Sequence, residues 1–327
     1  METRSEHIPR HIDSETEETG WKPCRLIAAI VGVFLFLAPP VTGAANPESS
    51  MPKVLRVGFS SNIFTDVDTR DAQVAMELWA RELARGAGIN HAKVTILNSR
   101  KDLISAVRSE SIDIVTIPAM EYLDIRNSLP LIPAFVAINH VGRARELILL
   151  VSRNSGNKKI RDLRGKTIDL LPEANYKPLH IWLELVLLNG GNGTPLSFFD
   201  KINIVSSASQ AIMRVFFGKT DAAIVNRGAF DIALTLNPQL KKQLLVIAES
   251  RSLIGDISCI PASINPKLRH AMENAAAHLH ENTTGKQMIA LFHIDRVIPF
   301  DSSYISGLEE LLSERDKLKG KKEKKGK

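Results

Sequence analysis

Ile112-Asp113-Ile114-Val115-Thr116-Ile117 and Thr220-Asp221-Ala222-Ala223-Ile224-Val225 are the same element written twice. Each is a short apolar run opened by an aspartate and closed by turn residues, the pattern of a buried strand. The offset of 108 residues holds without a gap on both sides. Residues 93–99 lie over 201–207, residues 103–107 over 211–215, and Tyr122 over Phe230. Each copy predicts strand, polar turn, helix, aspartate, buried strand, turn and helix. The period is too long for a solenoid. Two copies predict an α/β protein of two similar lobes, each a mainly parallel sheet flanked by helices.

The flanking segments say how the lobes connect. A strand over 54–59 and a helix with an apolar stripe at Ala72, Ala75, Met76, Trp79 and Leu83 precede the first copy. Two apolar strands, 131–138 and 146–152, carry the chain from lobe one to lobe two. A strand over 257–260 carries it back. The expected boundaries are 53–142 plus 257–312 for lobe one and 143–256 for lobe two. A two-strand crossover is a hinge, and two lobes on a hinge enclose a cleft.

The ends read differently from the body. Lys22 and Arg25 precede thirteen apolar residues, 26–38, and the small residues Gly43-Ala44-Ala45 follow. This predicts a secretory signal peptide over 1–45, with an uncleaved membrane anchor as the alternative, and a linker over 46–52. Thirteen residues are short for a permanent span. Of the two cysteines, Cys24 goes with the signal. Cys259 is left without a disulfide partner and reads as a buried small hydrophobe. The net charge of +6 comes from seven lysines in 317–327. Residues 313–327 are expected to be a basic disordered tail. With no basic helix and no aromatic interleaving, nucleic acid is not an expected partner. A monomer is the default.

Several motifs fail on inspection. Gly165-Lys166-Thr167 and Gly218-Lys219-Thr220 lack the leading glycine of a phosphate loop. Asp66, Asp68 and Glu77 have part of a calcium-loop spacing, but Arg70 and Asp71 stand where a ligand and a glycine belong. A helix cap is the better reading there. His278 and His280 point to different faces of a helix. No metal site, cofactor or catalytic residue is predicted.

In open α/β sheets ligands bind beyond the carboxyl ends of the strands. That rule selects Ser60, Ser61, Asn62, Phe64, Asn98 and Tyr122 in lobe one. In lobe two it selects Glu173, Asn175, Tyr176, Ser207, Asn226 and Arg227. Hydroxyls, amides and aromatics suit a small polar solute, and helix N-termini among them favour an anion. Serine and asparagine after a strand also serve as ordinary caps and turns.

The order of motifs resembles the phosphonate-binding proteins of ABC importers. The resemblance rests on residues 54–59, on 113–119 with Tyr122, on Ile160-Arg-Asp-Leu-Arg-Gly-Lys-Thr167, and on 220–225 and 246–250. It implies a type II periplasmic binding fold, capture of a phosphonate- or phosphate-like solute, and delivery to a membrane permease in the periplasm. Family members grip the anion with a Ser/Thr-rich turn at the start of the lobe-two helix. Here that turn is Leu171-Pro-Glu-Ala-Asn-Tyr176, and Glu173 stands where it would repel a dianion. A sensory module reporting to a membrane partner is the alternative. An enzyme is the weakest reading, with Glu173 and His180 as its one candidate acid–base pair.

Overall fold

The computed structural model describes residues 51–325 apart from 65–68, 139–145 and 292–293. For 69–72, 174, 175, 291 and 321–325 it describes the backbone alone. The expected signal segment, the first part of the linker and the Asp66/Asp68 cap lie outside the described residues.

Lobe one opens with β1 (Val54–Ser60), α1 (Thr69–Gly86), β2 (His91–Leu97), α2 (Arg100–Arg108), β3 (Ile114–Pro118), α3 (Ala119–Ile125) and β4 (Leu131–Ile138). The chain then crosses to β5 (Leu147–Ser152), β6 (Thr167–Leu170) and α4 (Glu173–Asn189). Lobe two continues with α5 (Pro195–Phe198), β7 (Lys201–Ile204), α6 (Ala208–Phe216), β8 (Ala222–Asn226), α7 (Arg227–Leu236), α8 (Gln239–Gln243) and β9 (Leu244–Glu249). It returns through β10 (Asp256–Pro261), α9 (Pro266–Ala277), α10 (Thr283–Leu291) and β11 (Arg296–Pro299), and ends in α11 (Ser303–Lys325).

The two sheets have matching topologies. Their orders are β11-β4-β10-β3-β1-β2 and β7-β6-β8-β5-β9. In each, three parallel strands are followed by one antiparallel strand, and that strand is the first to arrive from the other lobe: β10 in lobe one, β5 in lobe two. Neither sheet is complete until the chain has crossed.

The 108-residue offset is visible in the elements. Helix α2 starts at Arg100 and α6 at Ala208, while β3 starts at Ile114 and β8 at Ala222. Ser99 and Ser207 cap the two helices alike, accepting from the backbone N–H groups of Asp102 and Gln210. The repeated aspartates have matching tasks. Asp113 accepts from the Arg56 backbone N–H in β1 (2.7 Å), and Asp221 from that of Thr167 in β6 (2.8 Å). Each carboxylate satisfies a donor at the start of the central strand. After the helix, Gly218 turns with φ +66°, and its counterpart Glu110 does so at φ 51°.

Burial explains the long apolar runs. Ile148, Leu150 and Val151 of β5 and Ala222 to Val225 of β8 are fully buried. Cys259, also 0% exposed, packs in β10 as a small hydrophobe, and burial pushes its thiol pKa up. One apolar cluster runs from one face of the lobe-one sheet through Leu147, Leu253 and Ile257 into lobe two. Among these residues Asp169 of β6 is a fully buried carboxylate, held by Arg214 (2.6 Å) and Asn203 (2.8 Å).

The C-terminus departs from expectation. Residues 313–325, expected to be disordered, continue helix α11. The helix holds because Ile305, Leu308 and Leu311 are buried, Leu312 and Leu318 pack beside them, and Lys319 pairs with Glu184 of α4. Helix α11 packs along α4, so residues 303–312, assigned to lobe one by sequence, also lie against lobe two.

Two outcomes follow for stability. Glu110→Gly removes a left-handed residue that carries a side chain, and is expected to stabilise by about 0.5–1 kcal/mol in urea unfolding. Arg214→Met strands the buried Asp169 charge and is expected to cost about 3 kcal/mol. The Asp169→Asn/Arg214→Met double variant should recover part of that loss.

Candidate functional site

The lobes face each other across a cleft of about 330 Å³. From lobe one come Asn62, Ile63, Arg100, Pro118, Met120, Glu121 and Asp124; from lobe two, Leu147, Tyr176 to Leu179 and Asn226; from the return crossing, Leu253 to Asp256.

The lobe-one wall is built by helix α3. Its first turn follows Pro118 at the end of β3, so its residues start at the carboxyl edge of the sheet. Met120, Glu121 and Asp124 line the cleft, Asp124 standing four and three residues after the other two, the spacings of a single helix face. Glu121 is buried and accepts from the Ser60 hydroxyl (3.0 Å). Among the described residues no cation pairs with it. Tyr122, on the opposite face, packs into the apolar core.

The lobe-two wall is the start of α4. Tyr176 has non-helical angles (φ −127°, ψ 34°), which break the helix into a short first turn and a longer second segment. Pro178 therefore sits near the start of that segment, where a missing N–H costs little. Tyr176, Lys177, Pro178 and Leu179 all face the cleft. His180 lies one turn further on, and its Nε2 is 2.7 Å from the Leu171 carbonyl oxygen. Glu173 is exposed and lies outside the cleft lining. The two do not form the acid–base pair considered from sequence.

Charge in the cleft is concentrated at one junction. Asp124 Oδ2 accepts from Arg100 Nη2 (2.7 Å) in lobe one and from Lys177 Nζ (3.1 Å) in lobe two. Burial disfavours the Asp124 carboxylate, but hydrogen bonds from Arg100 and Lys177 outweigh it and hold the carboxyl below its ordinary range.

Of the twelve residues selected from sequence, the cleft gathers Asn62, Tyr176 and Asn226. Ser60 stands behind Glu121. Ser61, Phe64 and Asn98 are not in the lining, and Phe64 packs against the lobe-one core. Ser207 caps α6. The side chain of Asn175 lies outside the described residues. Arg227 is engaged in structure: its Nε is 3.1 Å from Glu146 and its Nη2 2.5 Å from Glu249. Those carboxylates flank the two crossings, so Arg227 ties the hinge instead of reaching the cleft. Sequence reasoning missed Arg100, Asp124, Lys177 and Asp256. A helix-face count from Pro118 offered a signal for Asp124. Nothing local marked Arg100 or Lys177.

Two α/β lobes on a strand hinge with a polar cleft between them have the architecture of the type II periplasmic binding proteins. The chain belongs to the phosphonate family of these proteins: the family model described as "ABC transporter, phosphonate, periplasmic substrate-binding protein" matches residues 63–304. That family binds small molecules and works with ABC transporter permeases. No curated protein matches the sequence. Solved structures share the fold at low identity. The binding component of a phosphonate ABC transporter from Pseudomonas aeruginosa is 14% identical, with TM-score 0.62 over 82% of this chain and 88% of that one. A Prochlorococcus marinus protein solved with methylphosphonate is 18% identical, with TM-score 0.59 over 80% and 97%. The aliphatic sulphonate-binding protein of Escherichia coli is 13% identical, with TM-score 0.52 over 83% and 88%.

Arg227→Met removes the cation shared by Glu146 and Glu249. It is expected to destabilise by about 1–3 kcal/mol in denaturant unfolding, where loss of a solvated ligand contact would cost almost nothing.

Proposed function

We propose that the cleft captures a small phosphonate that also carries an amino group, and that the closed protein presents it to the permease of an ABC importer. What carries this reading is Glu121. A buried carboxylate at the cleft wall, held by one hydroxyl and paired with no cation among the described residues, is an acceptor for a charged amine. Asp256 lines the same cavity. Asp124 is already paired with Arg100 and Lys177, which leaves Glu121 as a lining carboxylate with no paired cation among the described residues. A bare dianion would be repelled by it, whereas an ammonium on the solute offsets it. The phosphonate end would lie toward Lys177 and the start of the second segment of α4, with Asn62, Tyr176 and Asn226 supplying neutral hydrogen-bond groups. The protein would work in the periplasm as a monomer, after export directed by residues 1–45.

Thermal unfolding with 2-aminoethylphosphonate, methylphosphonate and inorganic phosphate tests this. At a hundred times its dissociation constant, a ligand adds about 2.7 kcal/mol, a rise in midpoint of about 5–10 °C. The amino compound is expected to give that rise, and methylphosphonate, the ligand of the Prochlorococcus protein, a smaller one. Glu121→Gln should weaken the amino compound by about 10- to 100-fold and leave methylphosphonate unchanged. Equal binding of both phosphonates by the wild type would make Glu121 a bystander.

A further inference from the structure

We infer that Asp124 is a built-in anion. It occupies the cation pair Arg100–Lys177, draws the lobes together without a solute, and denies that pair to simple anions.

The geometry carries this. One oxygen of Asp124 receives both donors, Arg100 Nη2 at 2.7 Å and Lys177 Nζ at 3.1 Å. Arg100 begins α2 and Asp124 lies in the last turn of α3, both in lobe one. Lys177 belongs to α4 of lobe two. All three line the cleft. The Asp124–Lys177 contact is therefore a link between the lobes, made by side chains and not by backbone. Without the carboxylate the two cations would repel each other across the cleft, and the space between them would suit an external oxyanion. Asp124 thus does for the empty protein what a bound anion would do for a protein lacking it. A solute with only an anionic end must compete with a tethered carboxylate. A solute that is also gripped at Glu121 need not rely on that pair.

This shares the cleft of the proposed function but not its solute. A protein indifferent to phosphonates would still open on losing Asp124.

The test uses the purified protein and inorganic phosphate as probe. Solution scattering without solute is expected to show the Asp124→Asn protein expanded relative to wild type. Adding phosphate should return it to the wild-type radius. By calorimetry the variant should bind phosphate at least tenfold more tightly than wild type. Lys177→Gln should expand likewise, and phosphate should fail to close it, since half of the pair is gone. Salt at 1 M should expand the wild type more than either variant, because only the wild type has the Asp124–Lys177 pair to screen, while the exposed Arg126–Glu309 pair is common to all three. Equal radii for wild type and both variants would overturn the inference. So would an expanded Asp124→Asn protein that binds phosphate no better than wild type.

Discussion

Each lobe of this protein is unfinished without a strand that the chain can deliver only by crossing over. β5 lies between β8 and β9 in lobe two, and β10 between β3 and β4 in lobe one. Both are central strands, so their backbone groups must be paired on two sides. That requirement brings the two crossings together, and the side chains nearby hold them there. The Leu147 N–H donates to the Ser250 hydroxyl, and the Ser250 N–H to the Leu147 carbonyl. Arg227 adds a charge between Glu146 and Glu249. The hinge is thus built from the pairing that completes the sheets. A cleft beside it is a consequence of the topology.

Once the topology has made the cleft, a few side chains decide what it accepts. The resemblance implies an anion grip at a hydroxyl-rich turn. Here that turn carries Pro172 and Glu173, and the helix after it restarts at Tyr176. The restart moves the start of the regular helix to Lys177 and Pro178, which face the cavity, while Glu173 turns to solvent. A carboxylate that looks prohibitive in sequence is harmless once it is solvated, because Coulomb repulsion in water is about a twentieth of its value in a dry interior. The carboxylates that matter are Glu121 and Asp124, on α3.

The repeat made most of the fold legible. The 108-residue offset paired α2 with α6 and β3 with β8, whose starts are 108 residues apart, because the same strand–helix packing constrains both copies. The site was less legible, for two reasons. The strand-end rule names positions along the chain but not the direction of side chains. On α3 that direction separates Asp124 from Tyr122, which lie two residues apart and face opposite ways. The rule also treats all strand ends alike. β2 and β7 are edge strands, so Asn98 and Ser207 end beyond the cleft, and Ser207 is spent on a cap. Arg227 was misplaced because its partners, Glu146 and Glu249, are 81 and 22 residues away. Asp169, within a four-residue strand, gave no hint of Arg214.

The C-terminal helix shows why composition alone misleads at a chain end. Lysine-rich sequence loses no apolar burial by staying unfolded, which is the reason to expect disorder. Yet Leu308, Leu311, Leu312 and Leu318 recur at helical spacing into the lysine run, and that stripe packs on lobe two. At its other end the helix touches lobe one and the hinge: Glu309 pairs with Arg126, the residue that follows α3, and Glu310 with Arg251 of the return crossing. Gly307 brings the helix close to the crossing, where an added Cβ would lie 3.1 Å from the Ser252 carbonyl oxygen. Helix α11 is therefore a third link between the lobes. Its main packing is on α4 of lobe two, Tyr304 meets Phe300 at the edge of lobe one, and its link to Arg126 is a partly exposed ion pair. Side-chain ion pairs of this kind cost little to break and re-form. Away from the continuous core at the crossings, the side-chain links between the lobes are thus the ion pairs Arg126–Glu309 and Asp124–Lys177, which are the contacts that hinge motion breaks most cheaply.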